Sequence, residues 1–343
     1  MAGDPARLVV ERPRTLRLVA GAPRSATDSG DEASRDALED DPLGGRGVST
    51  RSAGSTSGQP SVPDRVGVIG GGRMGAGIAH AFVLAGAEVV VVERDEEAAV
   101  AASIRFTDSL RRSVERGATD RTAEELAGAV RTATDVAALA GCGLVVEAVP
   151  EDRGLKVDAL ARAEAVLAPD AALATNTSSI SIDDLAAALA RPQRFVGLHF
   201  FNPVPASQLV EVVTGTATEP GLIDDARAWI AALGKTAVVV RDSPGFASSR
   251  LGVALGLEAI RMLEEGVASA ADIDAAMELG YRHPIGPLRT TDLVGLDVRL
   301  GIAEELRREL GERFAPPELL RRLVADGHLG RKSGRGFYEW SEQ

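Results

Sequence analysis

His199 and Glu211 stand in two short apolar runs, Phe195 to Phe200 and Leu209 to Thr214, joined by a turn that carries Pro203 and Pro205. A histidine and a carboxylate so placed can serve the oxidation of an alcohol. That reaction needs a base to take the hydroxyl proton as a hydride leaves, and a free imidazole titrates near neutrality. A carboxylate bonded to the far ring nitrogen fixes the tautomer and stabilises the imidazolium that forms. Glu211 can do this if the two runs lie side by side as strands. Ser178, in Thr175-Asn-Thr-Ser-Ser179, offers a hydroxyl to hold the reacting oxygen. Singly, each has a plain structural explanation: a core histidine, a carboxylate on a strand face, a serine in a turn. The other histidines, His80, His283 and His328, have no comparable company, and no metal is expected.

Their joint occurrence gains weight from a motif upstream. Gly70-Gly-Gly-Arg-Met-Gly75 matches G-x-G-x-x-G, with Gly70, Gly72 and Gly75 at the three positions and Met74 inside the turn. The first glycine allows a tight turn, the second lets a pyrophosphate approach the backbone, and the third lets helix and strand pack closely. Free N–H groups at the start of the following helix face the phosphates. The motif alone is weak. Here a strand-like run precedes it, a helical pattern follows, and Glu93 ends the next apolar run, where a carboxylate can bind the adenine ribose hydroxyls. Glu93 favours NAD, because it repels a 2′-phosphate. Arg94 beside it can receive that phosphate, so NADP stays open.

The elements that must position these groups alternate. Strand-like runs at Arg65–Ile69, Glu88–Glu93, Leu144–Val149, Ala172–Thr175, Phe195–Phe200, Leu209–Thr214 and Thr236–Val240 are separated by helical spacing at 74–85, 96–116, 122–129, 155–167 and 222–233. This predicts an α/β fold, a doubly wound Rossmann-type domain at 64–242. Beyond Asp242-Ser-Pro-Gly245 only helices are expected, at 250–264, 270–279, 292–310 and 317–326, giving a smaller all-helical domain at 243–343. Residues 1–63 contain none of the twelve aromatic residues and are rich in Ser, Gly, Asp, Glu and Pro. A disordered extension is expected there.

Bulk composition sets limits. A net charge of -12 argues against nucleic acid as the main partner. The single cysteine, Cys142, excludes an intrachain disulfide. No apolar run approaches the roughly 18 residues of a membrane span, and no signal-peptide core is seen, so a cytoplasmic protein is expected.

Taken together, the segments resemble the 3-hydroxyacyl-CoA dehydrogenase family, in its 3-hydroxybutyryl-CoA dehydrogenase-like form, from about Val66 to Trp340. The matching stretches are Gly70–Ala79, Val146–Glu151, Asn176–Ser179, His199–Pro205, Leu209–Val213 and Asp242–Phe246, then His283–Pro287, Asp292–Asp297 and Gly330–Tyr338. The resemblance implies an NAD-dependent oxidoreductase that interconverts (3S)-3-hydroxyacyl-CoA and 3-oxoacyl-CoA. It implies that His199 and Glu211 are the catalytic pair and that Ser178 contacts the substrate oxygen. Glu151 and Lys156 would lie near the nicotinamide half of NAD, with Ser109 and Arg116 toward the CoA tail. Asn176 and Asn202, both near expected strand ends, are counted with the cofactor and the substrate respectively. Family members pair through the helical domain, which implies a homodimer. One position departs: where the family has Asn before an arginine, this chain has Ser249 before Arg250. Ser249 could meet the substrate oxygen or cap the helix that follows. Two other readings stay open: a dehydrogenase of a non-CoA 3-hydroxy acid on the same scaffold, and a non-catalytic NAD-binding protein.

Overall fold

Residues 61–340 are described by a computed structural model; residues 1–60 of the expected extension lie outside them. β1 (Arg65–Ile69) runs into the glycine turn and α1 (Arg73–Leu84). β2 (Glu88–Val92), α2 (Glu96–Glu115), α3 (Ala123–Gly128) and β3 (Val130–Ala133) follow. Next come β4 (Leu144–Glu147), α4 (Arg153–Glu164), β5 (Ala172–Thr175), α5 (Ile182–Ala186) and β6 (Phe195–Phe200). β7 (Leu209–Thr214), α6 (Pro220–Ala232) and β8 (Thr236–Arg241) finish the sheet. The helices beyond are α7 (Ser248–Glu264), α8 (Ala270–Tyr281), α9 (Pro287–Val294), α10 (Leu296–Leu310) and α11 (Glu318–Ala325).

The strands form one sheet in the order β3-β2-β1-β4-β5-β6-β7-β8, parallel except where β7 turns back against β6. Strand order reverses at β1, whose neighbours are β2 and β4. Ligands of such sheets bind at that switch point, outside the carboxyl ends of the strands. Valines 89 to 92 of β2 are all buried, as a strand covered on both faces requires. Alternation places Val196, Leu198, Phe200, Val210 and Val212 in a core shared with α1 and α6. Phe195 and Val213 face the opposite core, with Ile182 and Phe246. His199 and Glu211 share the latter face by the same period of two. A third core, around Val253, Leu257, Ile260, Leu288, Leu306 and Leu320, holds the helical part together.

This is the expected α/β sheet followed by helices, with three local differences, one of them the short helix α5, which no sequence expectation covered. β3 was not anticipated, because its sequence Val-Arg-Thr-Ala lacks an apolar run; it is an edge strand held by pairing to β2. The helix expected over 292–310 is two helices broken at Gly295, whose φ of 103° is open to glycine but strained for other residues. Helical spacing continues across the break, so periodicity does not reveal it. Asp292 explains the break's place in the fold. Its carboxylate accepts the N–H groups of Phe337 and Tyr338 and the indole N–H of Trp340, tying the final described segment to α9. Gly330 and Gly336 let that segment approach, since a side chain at either would collide with Asp292.

Candidate active site

His199 and Glu211 are directly opposed in the antiparallel β6–β7 pair, which puts their side chains on one face and within reach. His199 Nδ1 lies 2.8 Å from Glu211 Oε2. The imidazole is 6% exposed and packs against Phe201 at 4.4 Å and Phe246 at 5.7 Å between ring centroids. Its Nε2 makes no protein hydrogen bond among the described residues, so the ring is held on one side and available on the other.

Glu211 is 1% exposed and fully engaged. Oε1 accepts the N–H groups of Ala247 at 3.1 Å and Ser248 at 2.8 Å; Oε2 also accepts the Ser248 hydroxyl at 2.7 Å. Burial alone would raise its pKa. The hydrogen bonds from His199 and from Ser248 outweigh it and hold the carboxyl below the usual range. α7 has Ala247 at its N-cap and therefore no capping side chain of its own. Glu211 supplies the missing acceptor and places negative charge at the helix's positive end. The carboxylate that orients His199 thus also anchors the first helix of the helical part. Ser249 lies inside the first turn of α7, so it is not the cap; it is half-buried and has no hydrogen-bond partner among the described residues. Ser248, not singled out by sequence reasoning, is the serine that touches the pair.

Ser178 lies just past β5, next to β6 in the sheet, and Asn176 Oδ1 accepts the Phe200 N–H at 2.9 Å, tying the two strand ends together. Ser178 donates to Glu151 rather than to His199: its N–H is 2.9 Å and its hydroxyl 3.3 Å from Glu151 Oε1. Thr177 and Ser179 bond the same oxygen. Burial pushes the Glu151 carboxyl up, but Lys156 and these donors lower it overall. Lys156 is itself buried, with Nζ 2.8 Å from Glu147 Oε1, 3.2 Å from Glu151 Oε2 and 3.2 Å from the Val149 carbonyl. An ammonium has three protons, and these three acceptors take them. Lys156 is held by these acceptors and fixes Glu151. Glu147, fully buried and also bonded by Thr175 at 2.6 Å, is a second residue that sequence reasoning missed.

A cleft of about 950 Å³ opens at the switch point, lined by Gly70, Gly72, Met74, Glu93, Arg94, Arg105 and the Ala148–Pro150 segment after β4. Its glycines and the Glu93 carboxylate are the groups a dinucleotide site needs. α1 has Gly72 at its N-cap and no side-chain cap, leaving backbone N–H groups unclaimed, and a Cβ at Gly72 would meet nothing within 4 Å. A Cβ at Gly75 would collide with the Gly70 carbonyl, so the helix could not pack so closely. Glu93 Oε1 accepts the Gly71 N–H at 2.6 Å, placing a carboxylate at the ribose end, while Arg94 turns outward to Asp95 at 2.9 Å. Ser109 and Arg116 sit elsewhere, on α2 and just beyond it. Ser109 bonds His80 at 2.8 Å, and exposed Arg116 faces a second cavity beside Pro205 and Ala206. Asn202 is exposed on the turn that leaves β6. Among the described residues no helix is long and apolar enough to cross a membrane.

A glycine-lined cleft at the switch point of a doubly wound sheet, with a histidine–carboxylate pair at nearby strand ends and a helical domain against it, defines a dinucleotide-dependent dehydrogenase. Residues 65–243 match the NAD binding domain of 3-hydroxyacyl-CoA dehydrogenases, and residues 245–340 match their C-terminal domain. The chain belongs to the 3-hydroxyacyl-CoA dehydrogenase family, and its cofactor is NAD. It is 45% identical over 280 residues to a 3-hydroxybutyryl-CoA dehydrogenase of Mycobacterium tuberculosis, covering 80% of this chain and 98% of that one. It is 38% identical over 304 residues to the human mitochondrial hydroxyacyl-coenzyme A dehydrogenase, covering 86% and 97%. The crystal structure of (S)-3-hydroxybutyryl-CoA dehydrogenase PaaH1 from Ralstonia eutropha superposes with a TM-score of 0.78 at 38% identity, covering 82% of this chain and all of that one.

Proposed function

We propose that this enzyme interconverts (3S)-3-hydroxyacyl-CoA and 3-oxoacyl-CoA, on short acyl chains such as 3-hydroxybutyryl, with His199 as the acid–base group. The observation that carries this reading is the 2.8 Å pair between buried Glu211 and His199 Nδ1, with Nε2 left for a ligand at the carboxyl end of β6. NAD, when bound, supplies the hydride acceptor. Gly70, Gly72, Met74, Gly75 and Glu93 hold its adenylate half, and Asn176 and Glu151 its nicotinamide half, Glu151 being steadied by Lys156. His199 takes the 3-hydroxyl proton at Nε2, and Glu211 stabilises the imidazolium. Ser178, with Ser249 or a water, positions the oxygen by donating its hydroxyl proton to it in place of the long 3.3 Å bond to Glu151. In reverse, His199 returns the proton to the forming alcohol. Orientation and electrostatic stabilisation supply most of the acceleration.

The helical domain at 243–343 closes the substrate side of the dinucleotide domain at 64–242, with Ser109, Arg116 and Asn202 toward the CoA tail. Two copies pair through that helical domain, a reading supported by its exposed apolar residues Leu251, Leu293, Val294 and Val298. A cytoplasmic enzyme of fatty-acid metabolism completes this reading. A second reading, a dehydrogenase of a non-CoA 3-hydroxy acid, draws on the structure of a diketoreductase of dicarbonyl compounds, 28% identical with a TM-score of 0.72. NADH oxidation measured against 3-oxoacyl-CoA esters of increasing chain length, against the matching free 3-oxo compounds, and again with NADPH decides between them. Highest kcat/KM for acetoacetyl-CoA with NADH is expected. Preference for a free acid would overturn the thioester assignment.

A further inference from the structure

A second buried imidazole lies outside this machinery. His80 on α1 is 1% exposed, with Nδ1 2.8 Å from Ser109 Oγ and Nε2 3.0 Å from Ser113 Oγ, both serines being on α2. His80 and Ser113 line a cavity of about 590 Å³ together with Arg116, Lys235, Pro205 and Ala206. Burial, and then the positive charges of Arg116, Lys235 and Arg112, push the imidazole down to about 4, so it is neutral at neutral pH. A neutral imidazole has one donor and one acceptor nitrogen, so the two serines play opposite parts.

Burial decides which is which. Ser113 is 3% exposed, and among the described residues its hydroxyl has no partner other than His80. Were it to accept from Nε2–H, its own proton would be buried without an acceptor, a greater loss than a hydrogen bond's gain. Ser113 therefore donates to Nε2, and Nδ1–H donates to Ser109. Half-buried Ser109 keeps its own proton for an acceptor that is not part of this trio.

We infer that His80 is a positioning residue for acyl-CoA recognition: its Nδ1–H tautomer makes Ser109 a hydrogen-bond donor to an oxygen of the CoA tail. This rests on the reading of Ser109 as a CoA contact. His80 touches neither cofactor nor reacting atoms; it acts through the serine.

Two measurements on the full-length enzyme test it. Nitrogen NMR of the imidazole-labelled protein at neutral pH, with the His80 signals assigned by their loss in His80→Gln, is expected to show a neutral Nδ1–H ring. An Nε2–H tautomer or an imidazolium would overturn the assignment, whatever the enzyme's activity. Steady-state kinetics with acetoacetyl-CoA and NADH supply the second. His80→Leu should raise KM about tenfold, the worth of one hydrogen bond, with kcat nearly unchanged. His80→Gln, whose amide both donates and accepts, should restore KM, and in a Ser109→Ala background His80→Leu should add nothing. An unchanged KM in a His80→Leu enzyme with wild-type melting and NADH affinity would overturn the role of His80 alone. Failure of the wild-type enzyme to turn over any acyl-CoA would remove the function on which it rests.

Discussion

Replacing Glu211 by glutamine changes one atom and should disable the enzyme, because the surroundings dictate how the amide must sit. Ala247 and Ser248 present backbone N–H groups that only donate, at 3.1 and 2.8 Å from Oε1, so the amide oxygen has to face them. The amide NH₂ then faces His199 Nδ1, which must accept. The ring proton moves to Nε2, and the atom that should act as base carries a hydrogen instead. Such a tautomer reversal costs about 10⁴-fold in kcat where a histidine–carboxylate pair has been dissected, or about 5 kcal/mol of transition-state stabilisation. Loss of the charge at the N-terminus of α7 should cost a further ~1 kcal/mol of folding stability. The pH dependence has a definite sign. The Glu211 carboxyl is lowered in the folded chain, since the bonds from His199 and Ser248 outweigh burial. A carboxyl lowered by folding contributes stability that is fully present above its unfolded pKa and is lost as pH falls through the folded one. The wild type should therefore lose stability relative to Glu211→Gln on acidification, the gap closing below pH ~4. Turnover of acetoacetyl-CoA by NADH absorbance, and urea melts at neutral and acid pH, read these effects. A folded Glu211→Gln enzyme within tenfold of wild-type kcat would refute the reasoning.

Further predictions concern residues around the pair. Lys156→Met should leave the Glu147 carboxylate buried without its ion-pair partner and destabilise the fold by about 3–5 kcal/mol in denaturant melts, with Glu147→Gln added to it recovering a large part. Asp292→Ala should orphan the N–H groups of Phe337 and Tyr338 and the Trp340 indole, costing at least about 2 kcal/mol. Limited proteolysis should then cut near Gly330 where the wild type resists. Glu93→Ala removes the charge that repels a 2′-phosphate, and should raise the NADPH-to-NADH ratio of kcat/KM about tenfold.

Legibility from sequence followed the range of the contacts. The cofactor turn lies within one strand–turn–helix unit, and its glycines, Glu93 and the flanking elements could be read locally. His199 and Glu211 could be paired because a short turn joins two clear strands. Ser248 could not be found that way: its bond to Glu211 crosses from β7 to the start of α7, 37 residues away. Glu147 ends an apolar run, and its partners Lys156 and Thr175 come from other elements. Lys156 was placed by resemblance alone, and the burial of its amine among Glu147, Glu151 and the Val149 carbonyl was not legible. The break at Gly295 escaped because helical spacing continues through it, whereas a backbone angle leaves no periodic trace. Ser109 was placed by resemblance alone, and its attachment to His80 depends on how α1 packs on α2.

The central claim is that one imidazole exchanges the proton of the substrate alcohol. His199→Ala tests it most directly, with acetoacetyl-CoA reduction and NADH fluorescence titration made on the same preparation. Turnover should fall about 10³-fold or more while NADH affinity stays near wild type. Wild-type turnover in this variant would contradict the account.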